Sequence, residues 1–239
     1  MEIDLVGHEG GNSKGEFCFT LDITDIATGW TETVSVKNKA QKWVFAAIKE
    51  ATTKFPFPIL GIDSDNGSEF INWELFRWCE QENLTFTRSR SGNKNDGAHA
   101  EQKNWHIIRQ TVGYHRYDTP AELELLNRIW ALQRLLTNHF APQQKLVGKV
   151  RTGAKVSKTY DRPATPFQRV LADTGTVARE VKTRLRRENK PLNPAAIQRQ
   201  IQALCAELQT LATAKQGPKP QPAIRAKPND STKQPSRAS

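Results

Sequence analysis

The sequence predicts an α/β protein: a mixed five-stranded sheet flanked by helices, followed by an extended basic arm. Three observations carry this expectation. Early segments alternate apolar and polar residues at the period of a half-buried strand, whereas later segments repeat apolar residues at helical spacing. A short unbroken apolar run lies between the first two helical segments, as suits a strand covered on both faces. Tryptophan and most phenylalanine fall within the first 140 residues, and the last 60 are rich in Arg, Lys, Gln, Pro and Ala, so the core ends well before the chain does.

The first strand is expected over 2–6. A Gly-rich turn at 8–15 leads into alternating residues 16–23, and the two strands read as an antiparallel hairpin. A third strand, 30–36, follows a turn at 25–29. Residues 40–55 carry helical spacing through Val44, Ala47, Ile48 and Ala51 until Pro56 ends the helix. The buried strand is 58–63. Residues 67–82 form a helix with Phe70, Trp73, Phe76 and Trp78 or Cys79 inward, and 84–88 return as a strand. A polar loop at 89–97 precedes a long helix, 98–117, with Trp105, Ile108 and Val112 on its apolar stripe. Thr119, Pro120 and Glu122 form a helix start, and Leu123, Leu126, Trp130 and Leu135 continue that helix to Asn138. This order of strands and helices matches the ribonuclease-H-like arrangement.

The core is expected to span 1–141. Residues 142–175 read as a basic extended arm anchored by a short helix at 165–171. A helical extension, 176–215, contains a helix capped at Asn193-Pro194, in which Ile197, Ile201, Leu204, Leu208 and Leu211 recur at the spacing of a coiled-coil seam. Residues 216–239 have little to bury and read as a disordered basic tail.

The net charge of +10 is divided unevenly. Residues 1–100 hold 10 Lys and Arg against 15 Asp and Glu, and 101–239 hold 25 against 10. A basic half of that size points to a polyanionic partner. Cys18, Cys79 and Cys205 are too far apart for a close-pair zinc site and odd in number, which fits a reducing compartment. No apolar run reaches membrane-spanning length and no export leader is visible, so a cytoplasmic protein is expected.

Cleavage of phosphodiesters by two hard cations needs carboxylates that converge from separate elements. Asp4 in the first strand, Asp65 beyond the buried strand and Glu101 near the start of a helix meet that need, because the first strand neighbours the buried one. Between Asp65 and Glu101 lie 35 residues. Together with Ser64-Asp-Asn-Gly-Ser-Glu-Phe70, Asn95-Asp-Gly-Ala-His-Ala-Glu-Gln-Lys-Asn104, Arg109 and the Asn138 region, these residues resemble the retroviral-integrase-like DDE transposases of bacterial insertion sequences, over roughly 1–172. The resemblance implies Asp4, Asp65 and Glu101 as ligands of two Mg²⁺ or Mn²⁺ ions. It implies water attack on a transposon-end phosphodiester, then attack of the freed 3′-hydroxyl on target DNA. Asn66, Arg88, Arg90, Lys94, Lys103, Asn104 and Arg109 are the candidate DNA contacts. Transposon-end and target DNA are the expected partners, with a second copy or full-length transposase as a protein partner.

Other residues invite plainer readings. Asp22, Asp25 and Asp63 read as turn or edge residues, and His8 and His99 as hydrogen-bonding or DNA-facing groups. Asp96 is set aside as a third ligand by its loop setting. Trp73, Trp78, Trp105 and Trp130 read as core packing. Members of the resembled family carry helix-turn-helix modules ahead of the core, whereas Asp4 lies three residues from Met1, so the expectation is an N-terminally truncated catalytic domain. The alternative is a catalytically inactive DNA-binding remnant that associates with full-length transposase. A structure-specific nuclease that cleaves without joining is a third reading.

Overall fold

The structure is a computed structural model that describes residues 1–65, 67, 69–70, 73–89 and 103–215. Three strands come first: β1 (Glu2–Gly7), β2 (Phe19–Thr24) and β3 (Thr31–Val36). Helix α1 (Gln41–Thr52), strand β4 (Gly61–Ser64), helix α2 (Trp73–Gln81) and strand β5 (Thr85–Arg88) follow. The sheet order is β3-β2-β1-β4-β5. Pairing is antiparallel among the first three strands and parallel from β1 to β4 to β5. This is the ribonuclease-H-like mixed sheet that the sequence predicts, and β1 sits at its centre.

Alternation divides the sheet into two unlike faces. Ile3, Leu21, Ile23, Val34 and Ile62 point to one side, where Val44, Ala47, Ile48 and Ala51 of α1 and Leu75 and Cys79 of α2 complete an apolar core. The register pairs Asp4 with Asp22, Thr20 with Ser35 and Thr24 with Thr31, so the opposite face is lined with carboxylates and hydroxyls. That face is nonetheless buried, and its polar groups must pair with one another. His8 Nε2 and Thr20 Oγ1 lie 2.7 Å apart, Thr20 Oγ1 bonds Ser35 Oγ at 2.7 Å, and Trp130 Nε1 donates to Ser35 Oγ at 2.7 Å.

Helix α4 (Pro120–Phe140) begins with the expected capping box between Thr119 and Glu122. It lies along the open edge of β3 and satisfies that edge with two asparagines. Asn138 accepts from Thr31 N at 2.9 Å and donates to Thr31 O at 2.8 Å; Asn127 accepts from Ser35 N at 2.8 Å and donates to Ser35 O at 3.1 Å. The two amides bond as an adjacent strand would, which closes the edge to other chains.

The helix expected over 98–117 differs in its described part. Asn104–Arg109 is a π-helical segment, continued by α3 (Gln110–Val112) and stopped at Gly113, whose φ of 71° departs from the helix. The wider turn brings the consecutive Ile107 and Ile108 inward and leaves Trp105 51% exposed, so Trp105 is not a core residue. Trp73 and Phe76 also face outward, with Trp73 75% exposed, because α2 turns Leu75 and Cys79 to the core instead. Trp130 is buried as expected, and Trp78 packs against the core edge.

Beyond the core, residues expected as an extended arm fold back as an antiparallel ribbon of β6 (Leu146–Thr152) and β7 (Lys155–Tyr160). Gly153, with φ of 60°, makes the tight reversal possible. Helices α5 (Pro166–Ala172) and α6 (Arg179–Asn189) place Val170 and Leu185 on the apolar core. Helix α7 (Pro194–Ala214) lays Ile197, Ile201, Leu208 and Ala212 against the cluster that includes Leu125, Leu126 and Ile129 of α4. The predicted seam is therefore filled from within the chain. No helix among the described residues is long and apolar enough to cross a membrane, and residues 216–239 lie outside them.

One buried ion pair ties α4 to the sheet. Arg134 grips Glu32 with Nε to Oε2 at 2.6 Å and Nη2 to Oε1 at 2.7 Å, and Trp30 Nε1 adds a bond of 2.9 Å to Oε1. The Glu32 side chain is 0% exposed, so removing its partner strands a buried charge. Arg134→Met should lower unfolding free energy by roughly 3–5 kcal/mol in urea titrations, and adding Glu32→Gln should recover part of the loss. Equal stability of Arg134→Met and wild type would contradict this role.

Candidate active site

The β1–β4 pairing joins the strand that holds Asp4 to the strand that Asp65 follows. The parallel register matches Glu2 with Asp63 and Ile3 with Ser64. Asp4 follows Ile3 in β1 and Asp65 follows Ser64 at the end of β4, so each carboxylate comes one position after the last matched pair. Asp4 stands within the central strand, and Asp65 is the first residue past β4, exposed where the chain leaves the sheet. Asp65 Oδ1 accepts from Gly67 N at 2.8 Å, which fixes the turn out of the strand. A Cβ at position 67 would stand 2.9 Å from that same oxygen and 2.8 Å from Glu69 Cδ, so a larger residue there would push the Asp65 and Glu69 carboxylates aside.

Asp4 is held from two sides. Leu5 N donates to its Oδ1 at 2.7 Å, and Asn104 Nδ2 donates to its Oδ2 at 2.5 Å. Asn104 is the first residue of the π-helical segment, so the segment's start is docked on the central strand at the candidate ligand. The Asn104 Oδ1 atom is buried without a hydrogen-bond partner. Glu101, three positions earlier in the chain, lies outside the described residues, as do Asn66, Arg90, Lys94, Asp96 and His99. Among the described residues, no group of three His, Cys, Asp or Glu side chains could hold a metal ion.

Asp22 corrects the sequence reading. It is no turn or edge residue but the fully buried cross-strand partner of Asp4. Its Oδ1 accepts from Thr24 Oγ1 at 3.0 Å, and its Oδ2 has no partner. Burial pushes its carboxyl up to about 8, against the opposing pull of the Thr24 bond and the Lys103 charge. Burial likewise lowers Lys103 to about 8, while Asp22 acts the other way. The alternation of 16–23 puts Asp22 on the polar side of the strand, opposite Leu21 and Ile23, so spacing alone gives no signal of its burial. Asp63 joins β4 to β5, accepting from Thr87 Oγ1 at 2.6 Å, and Asp25 forms the expected turn with Thr28 N at 2.7 Å.

The candidate DNA contacts fall into two groups. Arg88 ends β5 and is exposed. Lys103, Asn104 and Arg109 have partners inside the molecule: Lys103 donates to Gln143 Oε1, Asn104 to Asp4, and Arg109 Nη2 to Gly7 O at 2.8 Å while its guanidinium lies over the Tyr114 ring. Arg109 thereby clamps the end of β1 to the π-helical segment.

His8 serves the core. Its ring is buried beside Tyr117, and burial, reinforced by the Arg109 charge, lowers it from the usual 6.5 to about 3. A histidine kept neutral in the folded state gives stability that is complete above the unfolded value and is lost as pH falls below it. Between pH 7.5 and 5, wild type should lose about 2 kcal/mol more than His8→Gln in denaturant titrations. Parallel pH profiles would contradict the assignment.

The model of the integrase core domain family matches residues 1–94. An uncharacterized protein, y4rM, of Sinorhizobium fredii is 44% identical over 169 residues, which are 71% of this chain and 48% of that protein. The chain thus spans about half the length of this curated relative. Among solved structures, the catalytic core of BIV integrase is similar at 14% identity and a TM-score of 0.46, covering 70% of this chain and 90% of that one. A chain of the simian T-cell lymphotropic virus intasome, solved in complex with the PP2A regulatory subunit B56 gamma, matches at 15% and 0.49, covering 70% and 52%. The HTLV-2 integrase catalytic core in complex with magnesium matches at 16% and 0.43, covering 59% and 87%. Residues 1–94, which hold β1 to β5, match the integrase core domain family.

Proposed function

We propose that this chain is the catalytic domain of a DDE-type transposase from a bacterial insertion sequence, cutting and joining DNA strands with divalent metal. The observation that supports the reading is the β1–β4 register, in which Asp4 and Asp65 each follow the last matched pair, within a segment that matches the integrase core domain family. Glu101 is proposed as the third ligand. The donor set suits Mg²⁺ or Mn²⁺, since carboxylate oxygens are the ligands that hard cations select. Two such ions, when bound, would supply an activated water and neutralise charge on the leaving oxygen.

The chain's own residues then position. Asn104 restrains the Asp4 carboxylate, Gly67 N restrains that of Asp65, and Arg109 holds the end of β1 against the segment that bears Asn104. Water displaces a 3′-oxygen at a transposon-end phosphodiester, and the freed 3′-hydroxyl displaces another at the target. No covalent link to protein forms. DNA ends, target DNA and further copies of a transposase chain are the proposed partners.

Purified chain incubated with Mn²⁺ or Mg²⁺ and supercoiled plasmid should nick and join DNA. Asp4→Asn, Asp65→Asn and Glu101→Gln should each reduce both activities by about 100-fold or more, because losing one ligand disables the metal pair. Wild-type turnover in these variants would defeat the catalytic assignment. Cleavage of RNA–DNA hybrids without any joining would replace transposition by a nuclease function.

Asn104→Ala should lower the rate while Asn104→Asp, which keeps an oxygen beside Asp4 but replaces the donor, should not restore it. Full activity in either variant would remove Asn104 from the positioning role.

A further inference from the structure

The β6–β7 ribbon offers nearly all of its surface to solvent. Only Gly148 and Val156 in its two strands are less than exposed. A two-stranded ribbon without a packed face is marginal in water, yet this one is held firmly at its base. Lys145 N donates to Asp161 Oδ1 at 2.6 Å and Asp161 N to Lys145 O at 3.0 Å. Arg169 adds Nη1 to Asp161 Oδ2 at 2.6 Å and Nη2 to Gln143 O at 2.7 Å. The ribbon is therefore presented by the core without being covered by it.

Its charge is of one sign. Lys149, Arg151, Lys155 and Lys158 lie within the strands, and Arg162 follows them. The single nearby acid, Asp161, is engaged by Arg169, whose hydrogen bond holds its carboxyl below the usual range. Among the described residues, none of the four strand cations makes an ion pair. Lys149 and Lys158 stand directly opposite each other in the ladder, an arrangement that is unfavourable for like charges. Arg151, two positions from Lys149, shares their face, so three cations converge where the isolated protein has only repulsion to gain.

That face also has a direction. Lys158 and Tyr160 border a cavity of about 550 Å³, and its other wall includes Lys103, His106 and Gln110 from the segment that docks on Asp4. Exposed Val147 and Val150 add apolar contact on the ribbon itself.

We infer that the β6–β7 ribbon is a binding element for duplex DNA, its Lys149, Arg151 and Lys158 side chains taking the phosphate backbone beside the catalytic face. A two-stranded ribbon has the cross-section that the major groove admits, and released counterions supply the affinity. The inference deepens the proposed function and rests on it in taking DNA as the polyanion.

The test is fluorescence anisotropy of the full chain with a labelled duplex of about 30 base pairs, in EDTA, over a series of salt concentrations. The triple variant Lys149→Gln, Arg151→Gln, Lys158→Gln should weaken binding about 10-fold or more, and should flatten the slope of log K against log salt by about 2 to 3. The triple variant Lys37→Gln, Lys39→Gln, Lys42→Gln removes equal charge from another exposed surface and should change both much less. Circular dichroism should report both variants folded, since all six side chains are exposed. Equal losses in the two triples, unchanged binding in the ribbon triple, or a preference for single-stranded DNA or RNA that the ribbon triple leaves intact would each overturn the inference. The ribbon assay reads binding in EDTA, without metal-dependent turnover, so a failed cleavage assay and a failed ribbon assay report on different claims.

Discussion

The parallel pairing of β1 with β4 is the constraint on which the rest of the structure depends. β1 is bonded on both sides, to β2 over the whole strand and to β4 at Glu2 and Ile3. A slip of one residue would turn Asp4 from the polar face to the apolar one, exchanging it with Ile3 or Leu5 and burying its charge among apolar side chains. The hydrophobic pattern thus fixes the register, and the register fixes which carboxylates meet.

The polar face shows what that arrangement costs. Asp22 lies buried opposite Asp4, and Asp22 Oδ2, Asn104 Oδ1 and His8 Nδ1 all lack partners. Burial drives Asp22 and Lys103 toward their neutral forms. Elsewhere the same face is well satisfied, as in the run from His8 through Thr20 and Ser35 to Trp130 and in the asparagine pairs along β3. Two of the unpaired atoms, Asp22 Oδ2 and Asn104 Oδ1, belong to the residues that meet Asp4.

Much of the fold was legible because it rests on periodicity and end signals. Strand alternation around Leu21 and Ile23, the α1 stripe of Val44, Ala47, Ile48 and Ala51, and the Thr119–Glu122 capping box all follow from spacing and residue type. Three features were not legible. The π-helical turn gives no periodic signature of its own, so Trp105 was assigned inward. In α2 two apolar stripes compete, and packing chose Leu75 and Cys79 over Trp73 and Phe76. The β6–β7 ribbon has exposed valines on a polar strand pair, a pattern that reads as irregular arm. At the candidate site, Asp4 and Asp65 could be paired from strand order, whereas the roles of Asn104 and Asp22 depend on which helix face and which strand neighbour meet Asp4.

The central claim is that Asp4 and Asp65 share one divalent cation. The most direct measurement is a crystal structure of the chain grown with Mn²⁺, read by anomalous scattering. The account predicts a peak coordinated by oxygens of both aspartates, at about 2.0–2.2 Å as hard six-coordinate cations require. A Mn²⁺ peak bound elsewhere, with both carboxylates well ordered and turned away from each other, would contradict it.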